Sequence, residues 1–598
     1  MTARHVVLDT AFGDGARFAA ARAAGHARLH YLAITPRVPA AAQVADAPLR
    51  ALWPPDLPGF HRIVLDDGRV TLDLLVGEVS AVLPQIVARV QHFHLDEVDA
   101  APAADLRAYA TLARALARLA APDATLAASA PAEALVWALT AAGFVCRLAT
   151  DGANAPDGAG DAIDAVYRGR KTVPVQPMPT AAAASSSASS SSVRRAVVIG
   201  AGLAGAAVCR RLCASGWDVT LIERHQAPAH EASGNLAGIF MPLLSKDDNI
   251  PTRLARAAYL FALREWRRLG GVGTAFMGAD CGVLQLARDA GHARVQQAVL
   301  DAWHYPPEYV RWADAGEAGA LLGGPTPHGG WLFPQGGWAR PSSLCAAMLD
   351  ACGPRLQRLF CAEALTLHRE ATGEREGAGN RAGSGDWLVR GAGGALLAQA
   401  PTVILANGAG AVAIEQAAQL PLQALRGQVT HLAVGAGAPQ LPLVVCREAY
   451  VTPACDGIVC AGATYDNDGD PQLRLDSQRE NLARLAEIVP VAQVAALADS
   501  APLAGRVGFR CAAPDRLPLA GALPDYPAAG RLEQLADVPR HAGLYGLLGY
   551  ASRGLIWAPL MAELLVSQLD NTPPPLEAAL VDALDPGRFL LKQRRRAQ

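Results

Sequence analysis

Gly200, Gly202 and Gly205, followed by Glu223, have the types and the spacing to hold a dinucleotide. Gly200 permits a tight strand-to-helix turn, Gly202 lets backbone approach a pyrophosphate, and Gly205 lets helix and strand pack closely. The start of the following helix offers free N–H groups and the positive end of its dipole to phosphate. Glu223 is placed to accept hydrogen bonds from a ribose 2′-OH. That favours a cofactor with the hydroxyl free, FAD or NAD, over NADP. Glycines at this spacing also occur in purely structural turns. Here strand, glycines, helix, second strand and terminal acid follow in order from Ala196 to Glu223, which sets the dinucleotide reading above the structural one.

The elements that must position these residues are legible around them. Val197-Val198-Ile199 is a β-branched apolar run and reads as a buried parallel strand, Val219 to Ile222 as a second, with an alanine-rich helix and a turn at Gly216 between. Arg253 to Leu269 reads as a helix whose arginines 253, 256, 264, 267 and 268 share one arc. Two readings stand for that arc: a stripe facing RNA phosphates, or an ordinary solvated face. Val403 to Gly408 is another buried strand ending in a glycine turn. A short strand near Val507 precedes Arg510, and Leu544 to Tyr550 leads into Ser552-Arg553-Gly554 and a final helix. Gly373 to Gly385 reads as a flexible hairpin loop, and Lys592 to Arg596 as a frayed basic end.

Upstream, residues 1–172 read as an α/β domain of their own. Strands are expected at His5–Asp9, Leu29–Ile34, Thr71–Val76 and Phe93–Asp96, and helices at Ala16–Ala24 and Leu106–Leu119. The alternation implies a doubly wound parallel sheet, whose ligands bind at the carboxyl ends of the strands. Gly13, Gly15 and Asp96 fall there. Residues 173–193 are a Pro/Ala/Ser linker that cannot bury a core, and residues 194–598 form the second domain.

Composition bounds the rest. At 598 residues the chain exceeds one core, and 51% hydrophobic with 18% charged residues describes a soluble globular protein. A formal net charge of −2 excludes nucleic-acid binding by bulk charge, though not by a local patch. The 11 cysteines are scattered without a CxxC pair or His/Cys spacing for a metal, and read as reduced thiols in a cytoplasmic protein. The N-terminus has no signal-peptide pattern, and no apolar run is long enough to span a membrane.

Six stretches in fixed order carry a resemblance: GAGLAG, EASGNLAG (231–238), HGGWLFPQGGW (328–338), LRGQV (425–429), GRVGFRCAAPDRLP (505–518) and GYASRGL (549–555). The chain resembles the bifunctional tRNA 5-methylaminomethyl-2-thiouridine biosynthesis proteins, which join an S-adenosylmethionine methyltransferase domain to an FAD-dependent oxidoreductase domain. Residues 194 to about 590 are similar to glycine oxidase and D-amino-acid oxidase. The resemblance implies an α/β fold: a methyltransferase-like doubly wound sheet, then an FAD-binding Rossmann-like domain with an interleaved α+β substrate subdomain. It also implies the activity, removal of the carboxymethyl group from 5-carboxymethylaminomethyl-2-thiouridine at wobble position 34 of tRNA, followed by methylation of the exposed amine. Arg510, Arg553 and Tyr450 are its candidates for holding the substrate carboxylate. Ser233, Gly234, Asn235, Arg426, Gly427, Gln428, Gly549, Ser552 and Gly554 join Gly200, Gly202, Gly205 and Glu223 as contacts for FAD. No His or Cys stands in a flavinylation motif, so the FAD is expected to be non-covalent. A monomer is favoured, with tRNA as partner and no membrane.

The first domain departs from the family pattern. The chain begins almost at its first strand, Thr35 stands where an acid usually closes the second strand, and Glu97 and Asp99 replace an apolar, basic pocket wall. Gly13, Gly15 and Asp96 remain for S-adenosylmethionine. The expectation is a truncated, impaired methyltransferase domain that persists as a structural or docking partner. Two rival readings of the chain are an oxidase of free glycine-like amino acids and a flavin- and RNA-binding protein without turnover.

Overall fold

The computed structural model describes residues 4–96, 106–129, 131–148, 162–169, 194–370, 385–435, 438–489, 503–528, 530 and 532–597. The linker 173–193, Glu97, Asp99 and all but the last residue of the Gly373–Gly385 loop lie outside them. The chain divides into two units: Met1–Met178 with Ser567–Asp582, and Pro179–Val566 with Ala583–Gln598.

The first unit is built on β1 (His5–Asp9), β2 (Leu29–Thr35), β3 (Gly59–Leu65), β4 (Val70–Val76), β5 (Val90–Leu95), β6 (Ala120–Ala128), β7 (Phe144–Leu148) and β8 (Ile163–Tyr167). Their order across the sheet is β3-β4-β2-β1-β5-β6-β8-β7. β1 runs parallel to β2 and to β5, β2 to β4, and β5 to β6. Every residue of β2 and β4 is buried, as expected of strands covered on both faces. The chain leaves β1 toward β2 on one side and returns as β5 on the other, so the switch point lies at the carboxyl ends of β1 and β5. Two antiparallel additions escaped the sequence reading: β3 beside β4, and β8 between β6 and β7.

Arg62 of β3 ties the segment Ser567–Asp582 into this unit. Its guanidinium makes a two-pronged contact with Asp73 at 2.8 and 2.6 Å, donates to Ser567 Oγ at 3.0 Å and donates to the Pro573 carbonyl at 2.7 Å. His30 completes the cluster, 2.8 Å from the Asp73 carboxylate. All three side chains are buried.

In the second unit a six-stranded sheet runs in the order Leu356–Leu359, Asp218–Ile222, Arg195–Ile199, Thr402–Leu405, Arg540–Leu548 and Leu519–Pro524. The first five are parallel and the last is antiparallel. An eight-stranded mixed sheet takes its strands from segments interleaved with these, among them Val444–Cys446, Tyr450–Val451, Ile458–Gly462, Gln423–Ala433 and Gly505–Ala512. Gly505–Ala512 is the strand expected near Val507, longer than the sequence suggested because all eight residues pair with Gln423–Thr430.

Helix Ile250–Leu269 divides its arginine arc between the interior and solvent. It is capped by Asn249, whose Oδ1 accepts from Thr252 N–H at 3.2 Å, and it ends at Gly270 with φ 117°. Arg256 and Arg264 are buried; Arg256 pairs with Asp248 at 2.6 Å, Arg268 with Glu265 at 2.6 Å, and Arg267 donates to Gln335 at 3.1 Å. Arg267 and Arg268 stay exposed, so the departure from a solvated face lies at Arg256 and Arg264, which protein covers. The basic C-terminus is likewise no frayed end. Arg588–Ala597 is a helix that buries Leu590 and Leu591.

Candidate active site

The strand Arg195–Ile199 ends at Gly200, whose φ of 100° suits glycine alone. A Cβ there would also lie 2.8 Å from the Ala406 carbonyl oxygen and from Asn407 Cα. Gly202 caps helix Leu203–Ala214. A Cβ on Gly205 would fall 1.8 Å from the Gly200 carbonyl oxygen, so this glycine lets the helix lie against its own strand. Ser233 Oγ accepts from Leu203 N–H at 3.1 Å and so fills one position at the helix start. Glu223 is buried at the end of Asp218–Ile222, accepting from Ala201 N–H at 2.7 Å and from His225 N–H at 2.9 Å. It thereby fixes the glycine turn while its carboxylate faces the site.

One cavity of about 780 Å³ is lined by Gly200, Gly202, Glu223, Ser233 and Asn235, and equally by Tyr450, Arg510, Ser552, Arg553 and Gly554. The dinucleotide elements and the carboxylate candidates therefore share one space. Gly549, with φ 74°, turns the chain from strand Arg540–Leu548 into the cavity wall ahead of helix Gly554–Leu569.

Arg510 is half-buried on strand Gly505–Ala512. Its Nη1 donates to the Thr464 carbonyl at 3.1 Å, and its Cζ lies 4.1 Å from the ring centroid of Tyr465. Gly427, on the neighbouring strand, makes this placement possible, since a Cβ there would lie 1.8 Å from Arg510 Nη1. Arg553 is fixed through its backbone, which donates to the Tyr550 carbonyl at 3.0 Å. Burial pushes its guanidinium below the usual arginine value. Among the described residues neither Arg510 nor Arg553 pairs with a carboxylate, so both stand ready for an anion from outside. Tyr450, beside Cys446 in the antiparallel pair Val445–Cys446 with Tyr450–Val451, keeps its proton. Burial raises its hydroxyl above the usual tyrosine value despite nearby Arg510.

Three of the sequence assignments need correction. Arg426 and Gln428 do not line the cavity. Side chains alternate along a strand, so with Gly427 facing the cavity its two neighbours face away. Arg426 is fully buried in a pairing with Asp466 at 2.9 Å and donates to the carbonyls of Asp470 and Gln472 at 2.8 and 2.6 Å. Gln428 exchanges bonds with the Arg474 backbone, both at 2.8 Å. Gly234 sits beneath Arg506, where a Cβ would be 2.4 Å from Nη2. Arg506 itself was missed. It donates to Asn235 Oδ1 at 3.2 Å and to the His230 carbonyl at 2.6 Å, clasping the loop that carries Ser233. The four-residue interval between Arg506 and Arg510, which puts both on one face of a strand, was the available signal.

At the switch point of the first unit, Gly13 (φ 58°) and Gly15 (φ 81°) form the loop into helix Ala16–Ala23. Asp9, buried at the end of β1, accepts from Tyr31 Oη at 2.7 Å, Ala11 N–H at 3.0 Å and Arg17 Nη1 at 3.3 Å. Arg17 pairs with Asp96 as well. Thr35 turns its hydroxyl to the Arg37 carbonyl at 2.5 Å. Arg17 therefore occupies both acids at this crevice. Among the described residues no group of three His, Cys, Asp or Glu side chains is placed to hold a metal.

Residues 195–568 match the family model described as FAD dependent oxidoreductase, and residues 40–151 that of an S-adenosyl-L-methionine-dependent methyltransferase. A protein of Burkholderia thailandensis, the tRNA 5-methylaminomethyl-2-thiouridine biosynthesis bifunctional protein MnmC, is 40% identical over 620 residues, covering 99% of this chain and 91% of that protein. A protein of the same name from Azoarcus sp. is 43% identical over 615 residues, with 99% and 91% covered. The chain belongs to this bifunctional family. Glycine oxidase from Geobacillus kaustophilus superposes with a TM-score of 0.52 at 20% identity, over 66% of this chain and 98% of that one. Iminodiacetate oxidase from Chelativorans sp. gives 0.50 at 24% identity, over 64% and 96%. At such identities the likeness is one of fold. Membership brings FAD to the second unit and S-adenosylmethionine as the cofactor of the domain type in the first. The second unit fits its cofactor: a tight turn that only glycine permits at Gly200 and Gly205, opening on a cavity lined by Gly200, Gly202 and the buried acid Glu223, is the arrangement a flavin dinucleotide needs.

Proposed function

We propose that this chain removes the carboxymethyl arm from 5-carboxymethylaminomethyl-2-thiouridine at the wobble position of tRNA, leaving the aminomethyl base. The observation that carries the reading is the pair Arg510 and Arg553, unpaired with any described carboxylate, in the cavity that the glycine turn and Glu223 line. The arm is a glycine unit joined through its nitrogen to the base, so its recognisable end is a carboxylate. Guanidinium groups bind that end in fixed geometry as well as by charge. The neutral Tyr450 hydroxyl adds a donor. Gly200, Gly202, Glu223, Ser233 and Asn235 would hold FAD, which supplies the two-electron oxidation of the carbon–nitrogen bond when bound. The protein's own share is to hold the carboxylate, to orient the α-carbon and to keep bulk water from the reacting bond. Hydrolysis of the oxidised carbon–nitrogen linkage releases glyoxylate and the primary amine. A general base is not required, because the substrate amine in its neutral form gives up the electron pair directly.

For the first unit we propose impaired methyl transfer. Asp9 and Asp96 are both engaged by Arg17, which sets a positive charge where a sulfonium cofactor needs acceptors. Among the described residues no helix is long and apolar enough to cross a membrane; from the proposed tRNA substrate we infer that the chain works in the cytoplasm.

Anaerobic bleaching of the flavin is the test, with tRNA carrying the carboxymethylaminomethyl base compared with free glycine, and nucleoside analysis with and without S-adenosylmethionine. Bleaching by tRNA that leaves the primary amine under both conditions is expected. Bleaching by glycine alone refutes the substrate, and appearance of the methylated amine refutes the impairment.

A further inference from the structure

Tyr465 was not singled out by its sequence context, and the substrate clamp leaves it without a role. Its ring centroid lies 4.1 Å from Arg510 Cζ, and both residues line the cavity. Its two chain neighbours hold the same guanidinium and its support. The Thr464 carbonyl accepts from Arg510 Nη1 at 3.1 Å, and the Arg426 carbonyl accepts from the same nitrogen at 3.4 Å. Asp466 exchanges backbone bonds with Arg426 at 2.9 and 3.0 Å and pairs with its buried side chain at 2.9 Å. Thr464, Tyr465 and Asp466 thus form a brace for Arg510, anchored in the buried network around Arg426.

The brace occupies one nitrogen of the fork. Among the described residues Arg510 Nε and Nη2 donate to nothing, and together they form an edge that a carboxylate can meet with both oxygens. An acid supplied by the chain would close that edge, as Asp9 and Asp96 do to Arg17. An aromatic face attracts a cation without taking an N–H. We infer that Tyr465 is a positioning residue: its ring holds the Arg510 guanidinium by electron density alone, so that the fork is fixed in the cavity while its Nε–Nη2 edge stays open for the substrate carboxylate. This rests on the function proposed above, in which Arg510 holds that carboxylate.

The test uses the FAD-loaded full chain with Tyr465→Phe, Tyr465→Leu, and phenylalanines bearing one, two or three ring fluorines at position 465. Fluorine draws electron density from the ring face and leaves its shape almost unchanged, so it weakens the attraction for a cation and little else. The quantity measured is the dissociation constant of acetate, read from its perturbation of the flavin spectrum. Tyr465→Phe is expected to keep the wild-type constant, and Tyr465→Leu to weaken binding. Tyr465 is 57% exposed, which sets the interaction at the weak end of its range. Three fluorines are therefore expected to raise the constant about 2- to 5-fold, with a step at each fluorine. In an Arg510→Met background the same series should be flat. A flat series with Arg510 in place would overturn the inference even if Tyr465→Leu binds acetate weakly, since the ring would then only fill space. So would a fluorine dependence that survives Arg510→Met. An acetate constant that Arg510→Met leaves unchanged when Tyr465 is native would instead strike the clamp itself, and is read separately in that arm.

Discussion

Arg510 and Gly427 form a single device at the scale of residues: the missing side chain of one is the space in which the other lies. Arg510→Lys keeps the charge but loses the planar fork, so kcat/KM for the carboxylate substrate is expected to fall about 10- to 100-fold, the range of one charge-assisted hydrogen bond. Most of that fall should sit in KM, which steady-state kinetics will separate from kcat. Gly427→Ala puts a methyl 1.8 Å from Arg510 Nη1 and must displace it. The expected result is an enzyme with full flavin content and the same kinetic defect as the Arg510 variant. A double variant no worse than either single one would confirm that the two act as a unit. Tyr450 behaves differently. Its raised hydroxyl remains a donor through the ordinary range of tyrosine titration, so an alkaline loss of activity will not trace to it.

Among the elements, strand Gly505–Ala512 joins two halves of the site. Arg510 points into the cavity, and Arg506, two strand repeats away on the same face, grips the loop from His230 to Asn235. That loop carries Ser233, whose hydroxyl accepts from Leu203 N–H at the start of helix Leu203–Ala214. One strand therefore carries both Arg510 and the residue that holds the loop beside the glycine turn. Arg506→Ala removes the clasp without touching the carboxylate clamp. Loss of one hydrogen bond at the helix start costs about 1 kcal/mol, so FAD affinity should weaken by roughly fivefold or more. Titration of the apoprotein with FAD measures it; an unchanged constant would mean that the loop is held by its own turns.

Across the whole chain, the first unit is completed by Ser567–Asp582, which lies in sequence between the two stretches of the second. Arg62, buried between Asp73, Ser567 and Pro573, is the polar fastener. Arg62→Met leaves Asp73 buried without its cation and is expected to destabilise the first unit by about 3–5 kcal/mol. A fragment ending at residue 172 lacks the other partners and should be less stable than the same unit in the full chain, as urea denaturation will show. The cluster also sets a pH dependence. Burial holds His30 down at about 4, against 6.5 for a free histidine. The unfolded chain takes up that proton near 6.5 while the folded one refuses it, so stability is fully present above 6.5 and falls as pH drops toward 4. Asp73, held below the carboxylate range by Arg62 and His30 against the effect of burial, carries the loss further into acid. Urea midpoints between pH 7 and pH 4 should fall for the wild type and fall less for His30→Gln; parallel curves would remove His30 from the account.

The sequence by itself determined whatever depends on consecutive residues. The glycine turn, the helix it starts and the acid closing the next strand lie within one stretch of chain, and their geometry follows from backbone rules that act over a few residues. The fold class and family were readable for the same reason, as ordered local motifs. Only the tertiary structure decided which way side chains face. LRGQV reads as three equivalent polar or small residues, yet strand alternation sends Gly427 to the cavity and Arg426 and Gln428 to a buried network, and that choice depends on what packs against each face. The arginines of Ile250–Leu269 likewise share an arc in sequence, but which of them are buried, Arg256 and Arg264, was set by distant chain folding over them. Tyr465, Arg506 and the return of Ser567–Asp582 to the first unit belong to the same class. Their meaning lies in partners tens to hundreds of residues away, and side-chain direction and long-range contact are fixed by packing, not by spacing.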